Sequence, residues 1–406
     1  MKYIAIIGYG VVGGGITELV RENQQKIARV VGDGVEVKYI LDLREFPDSP
    51  YADRVVHTLD PILADGEVEL VCETMGGSHP ALEYSLSCMK AGKSVVTSNK
   101  EVVANFGDVL SECAKENGVS YLFEASVGGG IPVIRSFATS LPQDEIVQVS
   151  GIVNGTTNYI LTRMEEEALS FEDALKEAQE LGYAEHNPSA DVDGIDAKRK
   201  IMILSALAGG ILPGEDDVYA GSLRGITQAD LAGAARLGGR VKLIAEARLE
   251  EDGLTAYVCP MIVKKDDPLG RISGVYNGIS VRFALTGDIL YYGRGAGRYP
   301  TAGAIVADVC AGLSGAAKAE FTPVFARSGR EDGAVKSFAS AKFPYYVRAE
   351  GSASELLERL EEACGSAKLI AVEDGIAEIE TGEADEKTLT DALCGVTVQS
   401  VLRIRR

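Results

Sequence analysis

The chain opens with a short apolar run, residues 3–7, that leads directly into a glycine-rich turn and then into apolar residues at helical spacing from Ile16 to Val31. Glycines of this G-x-G-x-x-G kind allow a tight turn, a close approach of backbone to a pyrophosphate, and close helix–strand packing. The helix N-terminus then faces the phosphates. This order predicts a dinucleotide-binding loop rather than an ordinary glycine turn, with contacts from Gly8, Gly10, Val11, Val12 and Gly13.

Strand and helix patterns continue to alternate after the glycine turn. Buried strands are predicted over residues 35–42, 68–72 and 94–97, with helical patterns near 80–91 and 101–116. Alternation of this kind is typical of a parallel sheet. We therefore predict an α/β fold whose first part, residues 1–135, is a Rossmann-type dinucleotide-binding domain.

The pattern changes near residue 145. A strand through Ile152 and a helix after Asn158 come first, and the strands that follow are predicted near 241–249, 254–263 and 280–292. These elements indicate an α+β domain over residues 136–299, for substrate binding and dimerisation. The small-residue helix pattern from Pro300 is expected to pack back onto the first domain, over residues 300–316.

The last part of the chain has its own rhythm. Residues 317–343 are predicted as an irregular linker, and residues 344–406 follow a βαββαβ order. That order predicts a small ferredoxin-like module.

Charge and cysteine usage exclude several classes of protein. The 406 residues carry a net charge of −20, which disfavours nucleic acid and anionic membrane surfaces as partners. Seven cysteines without a C-x-x-C pair, and the absence of a signal-peptide pattern or a membrane-length apolar run, favour a reduced cytoplasm. Because the chain is acidic overall, an anionic ligand must be held by individual groups close to its own site.

The end of the second strand leaves the choice of cofactor open. Asp42 can accept hydrogen bonds from an adenosine ribose, which favours NAD, whereas Arg44 can pair with a 2′-phosphate, which favours NADP.

The segment 182–200 concentrates Glu185, Asp191, Asp196 and Lys200 just before a run too apolar to be surface. Asp196 and Lys200 are four residues apart, so they share one face of the predicted helix. An isolated pair of this kind is usually a simple salt bridge. The surrounding acids instead favour a polar cage for a small zwitterion. Lys100, after Ser98, lies outside the carboxyl end of strand 94–97, where parallel sheets bind ligands.

Several motifs together carry a family resemblance across residues 1–316. They are the glycine loop, Thr97-Ser-Asn-Lys100, Glu124-Ala-Ser-Val-Gly-Gly-Gly-Ile-Pro132, Gly151-Ile-Val-Asn-Gly-Thr-Thr-Asn-Tyr159, the 182–200 segment and Gly293-Arg-Gly-Ala-Gly-Arg-Tyr-Pro-Thr301. In this set the chain resembles homoserine dehydrogenase. The resemblance implies reversible NAD(P)H-dependent reduction of L-aspartate 4-semialdehyde to L-homoserine, on the route to threonine, methionine and isoleucine.

The resemblance also implies roles for individual residues. Lys200 is expected to donate the proton, Lys100 to hold the substrate and the reacting end of the cofactor, and Asp196 to orient and charge-balance Lys200. The remaining expected contacts are Glu185, Asp191, Asn154 and Thr156 with the substrate, Ser98 and Gly297 with the cofactor, and the backbone of Glu124, Val127, Gly129 and Ile131 with a monovalent cation, sodium or potassium.

Two departures from the family pattern bear on regulation and local charge. His186-Asn187-Pro188 stands where many relatives are acidic, and the tail resembles a reduced ACT-like module without the usual effector-binding turn. With no kinase-like segment before Met1, we expect a monofunctional enzyme, assembled as a homodimer or homotetramer. The alternatives are an oxidoreductase for a different amino-acid semialdehyde or imine, and a non-catalytic nucleotide-binding sensor.

Overall fold

The computed structural model describes residues 1–139, 141, 143–315 and 325–405. Its first part is a six-stranded parallel sheet in the order β3-β2-β1-β4-β5-β6. The strands are β1 (Lys2–Ile7), β2 (Val35–Leu41), β3 (Val55–Val56), β4 (Val68–Glu73), β5 (Ser94–Thr97) and β6 (Tyr121–Leu122). The chain reverses its direction of travel across the sheet between β1 and β4, so a crevice opens at the carboxyl ends of these two strands.

The helices of this part are α1 (Val11–Glu22), α2 (Gln24–Val31), α3 (Asp60–Ala64), α4 (Ala81–Lys90), α5 (Lys100–Glu116) and α6 (Val133–Thr139). The prediction of one helix pattern from Ile16 to Val31 was wrong in two respects, because the helix begins at Val11 and breaks at Asn23. The Asn23 side-chain amide donates to the Leu19 carbonyl at 3.1 Å. A side chain that bonds to the preceding turn competes with the helical backbone.

The second part is built on a mixed sheet. The strands of this part are β7 (Ile146–Ile152), β8 (Ile211–Leu212), β9 (Tyr219–Ala220), β10 (Gly239–Glu250), β11 (Gly253–Lys264), β12 (Tyr276–Phe283) and β13 (Gly287–Arg294). All of them except β8 belong to the mixed sheet. Its helices are α7 (Gly155–Glu167), α8 (Phe171–Glu180), α9 (Ser189–Val192), α10 (Ile195–Gly209), α11 (Gln228–Arg236) and α12 (Arg298–Ser314). The order β13-β12-β7-β10-β11 puts β7, which leads to α7, in the middle.

The single strand predicted over 280–292 was wrong, because this segment is the β12–β13 hairpin. The turn is held by Asp144, which accepts hydrogen bonds from the backbone N–H groups of Leu285 and Thr286 at 3.0 and 2.7 Å. Since that carboxylate comes from a distant part of the chain, the segment itself carries little sign of the turn.

Helix α12 packs against α1 of the dinucleotide-binding part. A Cβ placed on Gly15 would lie 2.9 Å from the Cβ of Ala302, so the two helices meet at a small-residue contact. Arg298 also pairs with Glu18 at 2.7 Å. Ile305 and other buried α12 residues belong to the same apolar cluster as the first strands.

The tail consists of β14 (Ala326–Arg327), β15 (Phe343–Glu350), α13 (Ala353–Cys364), β16 (Ala367–Glu373), β17 (Ile376–Ala384), α14 (Glu386–Ala392) and β18 (Val398–Ile404). Its last four strands run β18-β15-β17-β16, the arrangement of a βαββαβ module. Strand β18 also pairs in parallel with β11, so this sheet continues the sheet of the second part.

Residues 317–324 of the predicted linker lie outside the described residues. The described remainder, residues 325–343, is not irregular throughout. Strand β14 pairs with β8, and Val335 forms a β-bridge with Leu254. In the part of the chain that the structure describes, no helix has the length and apolar character to cross a membrane.

Candidate active site

One carboxylate joins the two predicted amines. Asp196 lies in the first turn of α10, and its Oδ2 accepts from the Nζ of Lys200, one turn later, at 2.6 Å. Its Oδ1 lies 3.1 Å from the Nζ of Lys100. The cluster predicted from sequence therefore includes an amine from each of the first two parts of the chain.

The two lysines are presented differently. Lys200 is buried, with 8% of its surface exposed, and its Nζ also donates to the carbonyl of Val153 at 2.7 Å. Lys100 is the first residue of α5, directly after β5, and its side chain is 40% exposed. Lys200 is thus fixed by two partners, while Lys100 faces the open side of the cluster.

Charge decides the ionisation of this cluster. Burial acts to raise the pKa of Asp196, but the positive charges of Lys200 and Lys100 outweigh it and hold that pKa well below its usual range. The charge of Asp196 in turn raises the pKa of Lys100, against the effect of burial. The site holds an ionised carboxylate and an ammonium group at Lys100 near neutral pH.

Asn154 ties the substrate loop to the acids. Its Oδ1 accepts from the N–H of Thr157 at 2.8 Å and caps α7, and its Nδ2 donates to Asp196 at 2.8 Å and to Asp191 at 2.7 Å. Burial raises the pKa of Asp191. Asp191 therefore stands in the same cluster, held by an amide rather than by a cation.

Two predicted substrate contacts do not join this cluster. Glu185 is exposed, and its carboxylate makes no hydrogen bond or ion pair among the described residues. Thr156 donates its hydroxyl to the carbonyl of Tyr183 at 2.7 Å, which fastens the loop before Glu185 to α7. The structure brings Lys100, Lys200, Asp191, Asp196 and Asn154 together and leaves these two at the rim.

The glycine loop has the shape of a phosphate cradle. Gly8 has a φ of +92°, and a Cβ on Gly13 would lie 2.3 Å from the Gly8 carbonyl oxygen, so neither position accepts a larger residue. A Cβ on Gly10 would meet only open space. Val11 begins α1 and is 69% exposed, whereas Val12 is half-buried against the sheet. The exposed start of α1 fits the pyrophosphate of a dinucleotide.

The two residues that left the cofactor choice open are bonded to each other. The Oδ1 of Asp42 accepts from the Nε of Arg44 at 3.0 Å, and its Oδ2 accepts from the N–H of Tyr9 at 2.7 Å. The hydrogen bond from Arg44 holds the pKa of Asp42 well below its usual range. The Arg44 side chain remains 64% exposed, beside the glycine loop.

Two turns carry the residues predicted to contact the cofactor's reacting end. Ser98 is half-buried, and its carbonyl accepts from the N–H of Lys100 at 3.1 Å. Gly297 precedes α12 with a φ of +126° and is exposed. A Cβ on Gly129 would lie 2.5 Å from the Gly295 carbonyl oxygen, so the predicted cation segment touches the turn that precedes α12.

The predicted cation segment is almost wholly buried. The Glu124 side chain is not free to bind an ion, because its carboxylate accepts from the N–H groups of Ile134 and Arg135 at 2.9 and 2.8 Å. Burial raises the pKa of Glu124. The Ile131 carbonyl accepts from the N–H of Val133 at 2.9 Å. The ligands that this segment can offer to a cation are backbone carbonyl oxygens.

Sequence reasoning missed the Val153 carbonyl, which accepts from Lys200, and the Glu73 carboxylate, which accepts from Thr97 at the end of the strand before Lys100. Nothing local marks Val153, since a backbone acceptor has no side-chain signal. Glu73 could have been found as an acid that ends an otherwise apolar strand, Val68–Glu73.

A parallel sheet with a glycine cradle at its switch point, and a lysine–carboxylate cluster at the same edge, define an NAD-binding oxidoreductase. A model of the homoserine dehydrogenase family matches residues 132–310, and a model of the homoserine dehydrogenase NAD-binding domain matches residues 8–124. The chain belongs to the homoserine dehydrogenase family, which confirms the resemblance.

Individual relatives agree. Homoserine dehydrogenase of Lactococcus lactis is 39% identical over 311 residues, which cover 75% of this chain and 73% of that protein. The structure of a Thiobacillus denitrificans homoserine dehydrogenase is similar with a TM-score of 0.88 and 31% identity, covering 100% of this chain and 98% of that one. A hyperthermophilic archaeal homoserine dehydrogenase in complex with NADPH has a TM-score of 0.67 and 27% identity, over 77% of this chain and 98% of that one.

Proposed function

We propose that this chain interconverts L-aspartate 4-semialdehyde and L-homoserine with a nicotinamide cofactor, and that Lys200 is the proton donor. Family membership supports the reaction. The observation that carries the residue roles is the Asp196 carboxylate, which lies 2.6 Å from the Nζ of Lys200 and 3.1 Å from that of Lys100.

Each residue has a task that its surroundings fit. A bound cofactor supplies a hydride to the aldehyde carbon, and the alkoxide that forms there needs a proton. The Lys200 ammonium stabilises that oxygen and gives it the proton, then regains one from solvent. Asp196 fixes Lys200, and the more exposed Lys100 attracts the substrate carboxylate. Asp191, which Asn154 holds in the same cluster, accepts from the substrate ammonium.

The loop residues outside the cluster would act only with substrate present. Thr156 lies in the first turn of α7, and its hydroxyl holds the loop that leads to α9. On that loop, Glu185 adds negative charge for the substrate ammonium. The exposed carboxylate of Glu185 has no partner to give up among the described residues.

For the cofactor we favour NADPH over NADH. The Arg44 guanidinium is exposed beside the glycine cradle, and its present partner, Asp42, is an anion that a 2′-phosphate can replace. The archaeal relative in complex with NADPH supports the same choice. Ser98 and Gly297 would line the nicotinamide end.

A monovalent cation fits the buried segment through backbone oxygens. Among the described residues, the carbonyls of Val127 and Gly129 accept no hydrogen bond, although both residues are buried. Buried carbonyls are normally paired, so sodium or potassium, held with help from the carbonyls of Glu124 and Ile131, would satisfy them.

The remaining proposals concern organisation. We propose the divisions 1–135, 136–299 and 344–406, an ACT-like character for the last of these, a cytoplasmic location, and assembly as a homodimer or homotetramer. The exposed face of the edge strand β13, with Leu290 and Tyr292 40% and 56% exposed, supports contact with a second copy.

The test replaces Lys200 by Met and, as a matched control, Lys198 by Met on the same helix. The Lys198 amine donates to the Glu215 carbonyl and has no other partner among the described residues. Lys200→Met should lower kcat by a factor of about 10² to 10⁴, with NADPH affinity unchanged. Activities of the two variants within about threefold of each other would remove Lys200 from this role.

The same assay separates the alternatives. Homoserine should drive NADP⁺ reduction by the wild-type protein, measured by absorbance. Turnover only with another semialdehyde or an imine would indicate a different substrate. Saturable NADPH binding without turnover of any compound would indicate a sensor.

A further inference from the structure

Glu73 is a fully buried acid that the reaction described above does not use. It is the last residue of β4, at the switch point, and 0% of its surface is exposed. Its neighbours across the sheet are Ile7 of β1 and Thr97 of β5. The carboxylate therefore lies beneath the crevice, between the strand that leads to the glycine cradle and the strand that leads to Lys100.

Both carboxylate oxygens accept hydrogen bonds, and they do so from opposite sides. Oε1 accepts from the N–H of Met75 at 2.7 Å, which fixes the loop after β4. Oε2 accepts from the hydroxyl of Thr97 at 2.6 Å, which fixes the end of β5. An ionised carboxylate can accept both bonds, whereas a neutral acid carries a hydrogen on one oxygen and loses part of that capacity.

The bonds continue from Glu73 to the start of α5. The Thr97 oxygen accepts from the N–H of Asn99 at 2.9 Å, and the Asn99 Nδ2 donates to the Gly77 carbonyl at 2.8 Å. The Asn99 Oδ1 accepts from the N–H of Val102 at 3.3 Å and caps α5, whose first residue is Lys100. The hydrogen bonds that connect Glu73 with the start of α5 therefore pass through two residues, Thr97 and Asn99.

On the other side the loop after β4 reaches the cradle. The hydroxyl of Thr74 donates to the Gly8 carbonyl at 2.6 Å, and a Cβ on Gly8 would lie 3.0 Å from the Thr74 carbonyl. A change at Glu73 would therefore affect both sides of the crevice, the glycine cradle and the turn before Lys100.

We propose that Glu73 is a positioning residue for this site: its ionised carboxylate holds the 74–77 loop and the 97–100 turn together, and its protonation loosens the turn that carries Lys100. The proposal rests on the function proposed for Lys100 above. It adds a device by which mildly acidic conditions weaken substrate binding without any change at the lysines.

The surroundings of Glu73 favour protonation in this range. Burial raises the pKa of Glu73 to about 7, although the hydrogen bonds from Thr97 and Met75 lower it. No Lys, Arg or His side chain of the described residues pairs with it. The titratable group that faces it from β6 is Tyr121, whose pKa is raised well above its usual range by burial and by the Glu73 charge.

The experiment compares Glu73→Gln with wild type and with Glu69→Gln, a control on the same strand whose exposed carboxylate pairs with Lys2 at 2.8 Å. Steady-state kinetics are measured from about pH 5 to about pH 9. In the wild type, kcat/KM should fall on the acid side with a midpoint near 7. At about pH 8, Glu73→Gln should lower kcat/KM between about tenfold and a hundredfold, the worth of one charge-assisted hydrogen bond, mainly through KM.

The pH dependence distinguishes positioning from simple structural damage. The deficit of Glu73→Gln should shrink as pH falls, because a protonated wild-type carboxyl resembles the amide. Glu69→Gln should follow the wild type throughout. A deficit of constant size at all pH values would overturn the proposal.

Infrared spectroscopy tests Glu73 without turnover. Burial also raises the pKa of Asp308 to about 7, so the two proteins are compared by difference. The carboxylic-acid carbonyl absorption that appears as pH falls through this range should be weaker in Glu73→Gln by the band of one carboxyl group. Equal absorption in the wild type and the variant would contradict the assignment. If the wild type shows no homoserine-dependent turnover, the proposed function fails, while the infrared titration still decides whether Glu73 protonates.

Discussion

The sharpest energetic test of the site is Asp196→Asn, because it removes one negative charge shared by two amines. The two amines should respond differently. Lys100 is 40% exposed and can turn toward water, whereas Lys200 lies at 8% exposure and would keep neutral acceptors, among them the Val153 carbonyl, but no anion at 2.6 Å. The cost of the substitution should therefore come from Lys200.

The magnitude follows from the burial of this pair. Removal of one partner of a buried ion pair leaves an uncompensated charge and costs about 3–5 kcal/mol. Asp193→Asn, three residues earlier in the chain, is the matched control. Asp193 pairs with Arg224, whose side chain is 50% exposed, and an exposed pair of this kind contributes below about 1 kcal/mol.

Urea denaturation at neutral pH gives the free energy of unfolding for each variant. The second substitution in each double variant decides the cause. Asp196→Asn with Lys200→Met should be more stable than Asp196→Asn alone, because the unpaired charge is gone, and Asp196→Asn with Lys100→Met should show little recovery. Equal recovery from both lysines, or none from Lys200→Met, would refute the reasoning.

Three further outcomes are expected. Arg44→Ala should raise KM for NADPH at least about tenfold and leave KM for NADH nearly unchanged, measured in parallel assays. Burial lowers the pKa of Lys242 to about 8 from 10.5, so the native state binds fewer protons between these values. Denaturation should show the wild type gaining up to roughly 3 kcal/mol of stability relative to Lys242→Met as pH rises through this range. The comparison with the variant is needed because burial raises the pKa of Cys72 and Cys259, which lowers the stability of both proteins at the higher pH. Gly233→Ala would place a Cβ 1.8 Å from the Tyr346 hydroxyl oxygen and should cost about 1–3 kcal/mol by thermal unfolding, whereas Gly303→Ala, which meets open space, should cost nothing.

Local patterns in the sequence were enough for the first half of the fold. The glycine loop and the alternation of buried strands with helices gave the parallel sheet, and the spacing of Asp196 and Lys200 gave one half of the site. These features depend on neighbours within a few residues of each other. The Asn23 break was missed because the periodicity of apolar residues does not reveal a side chain that bonds to the preceding turn of its own helix.

Contacts between distant segments could not be predicted from the sequence patterns. The partnership of Lys100 with Asp196 depends on how α5 and α10 meet, and the double role of Asn154 depends on α9 lying beside α7. Glu185 illustrates the opposite error, since it is near Asp191 in the sequence but exposed and apart from the cluster. Sequence proximity is a weak guide to a cluster when turns separate its members.

The pairing of β18 with β11, where Met261 lies opposite Arg403 and Ile262 opposite Ile404, has a consequence for any attempt to shorten this protein. A chain cut after the second part would leave the end of β11 around Met261 and Ile262 without its partner strand, past the short stretch where β9 pairs with Tyr257 and Val258. Apolar residues and N–H and C=O groups there would be exposed at the sheet margin. Such margins recruit other chains. A truncated form should therefore precipitate or self-associate, and the tail doubles as a cover that keeps the enzyme dispersed.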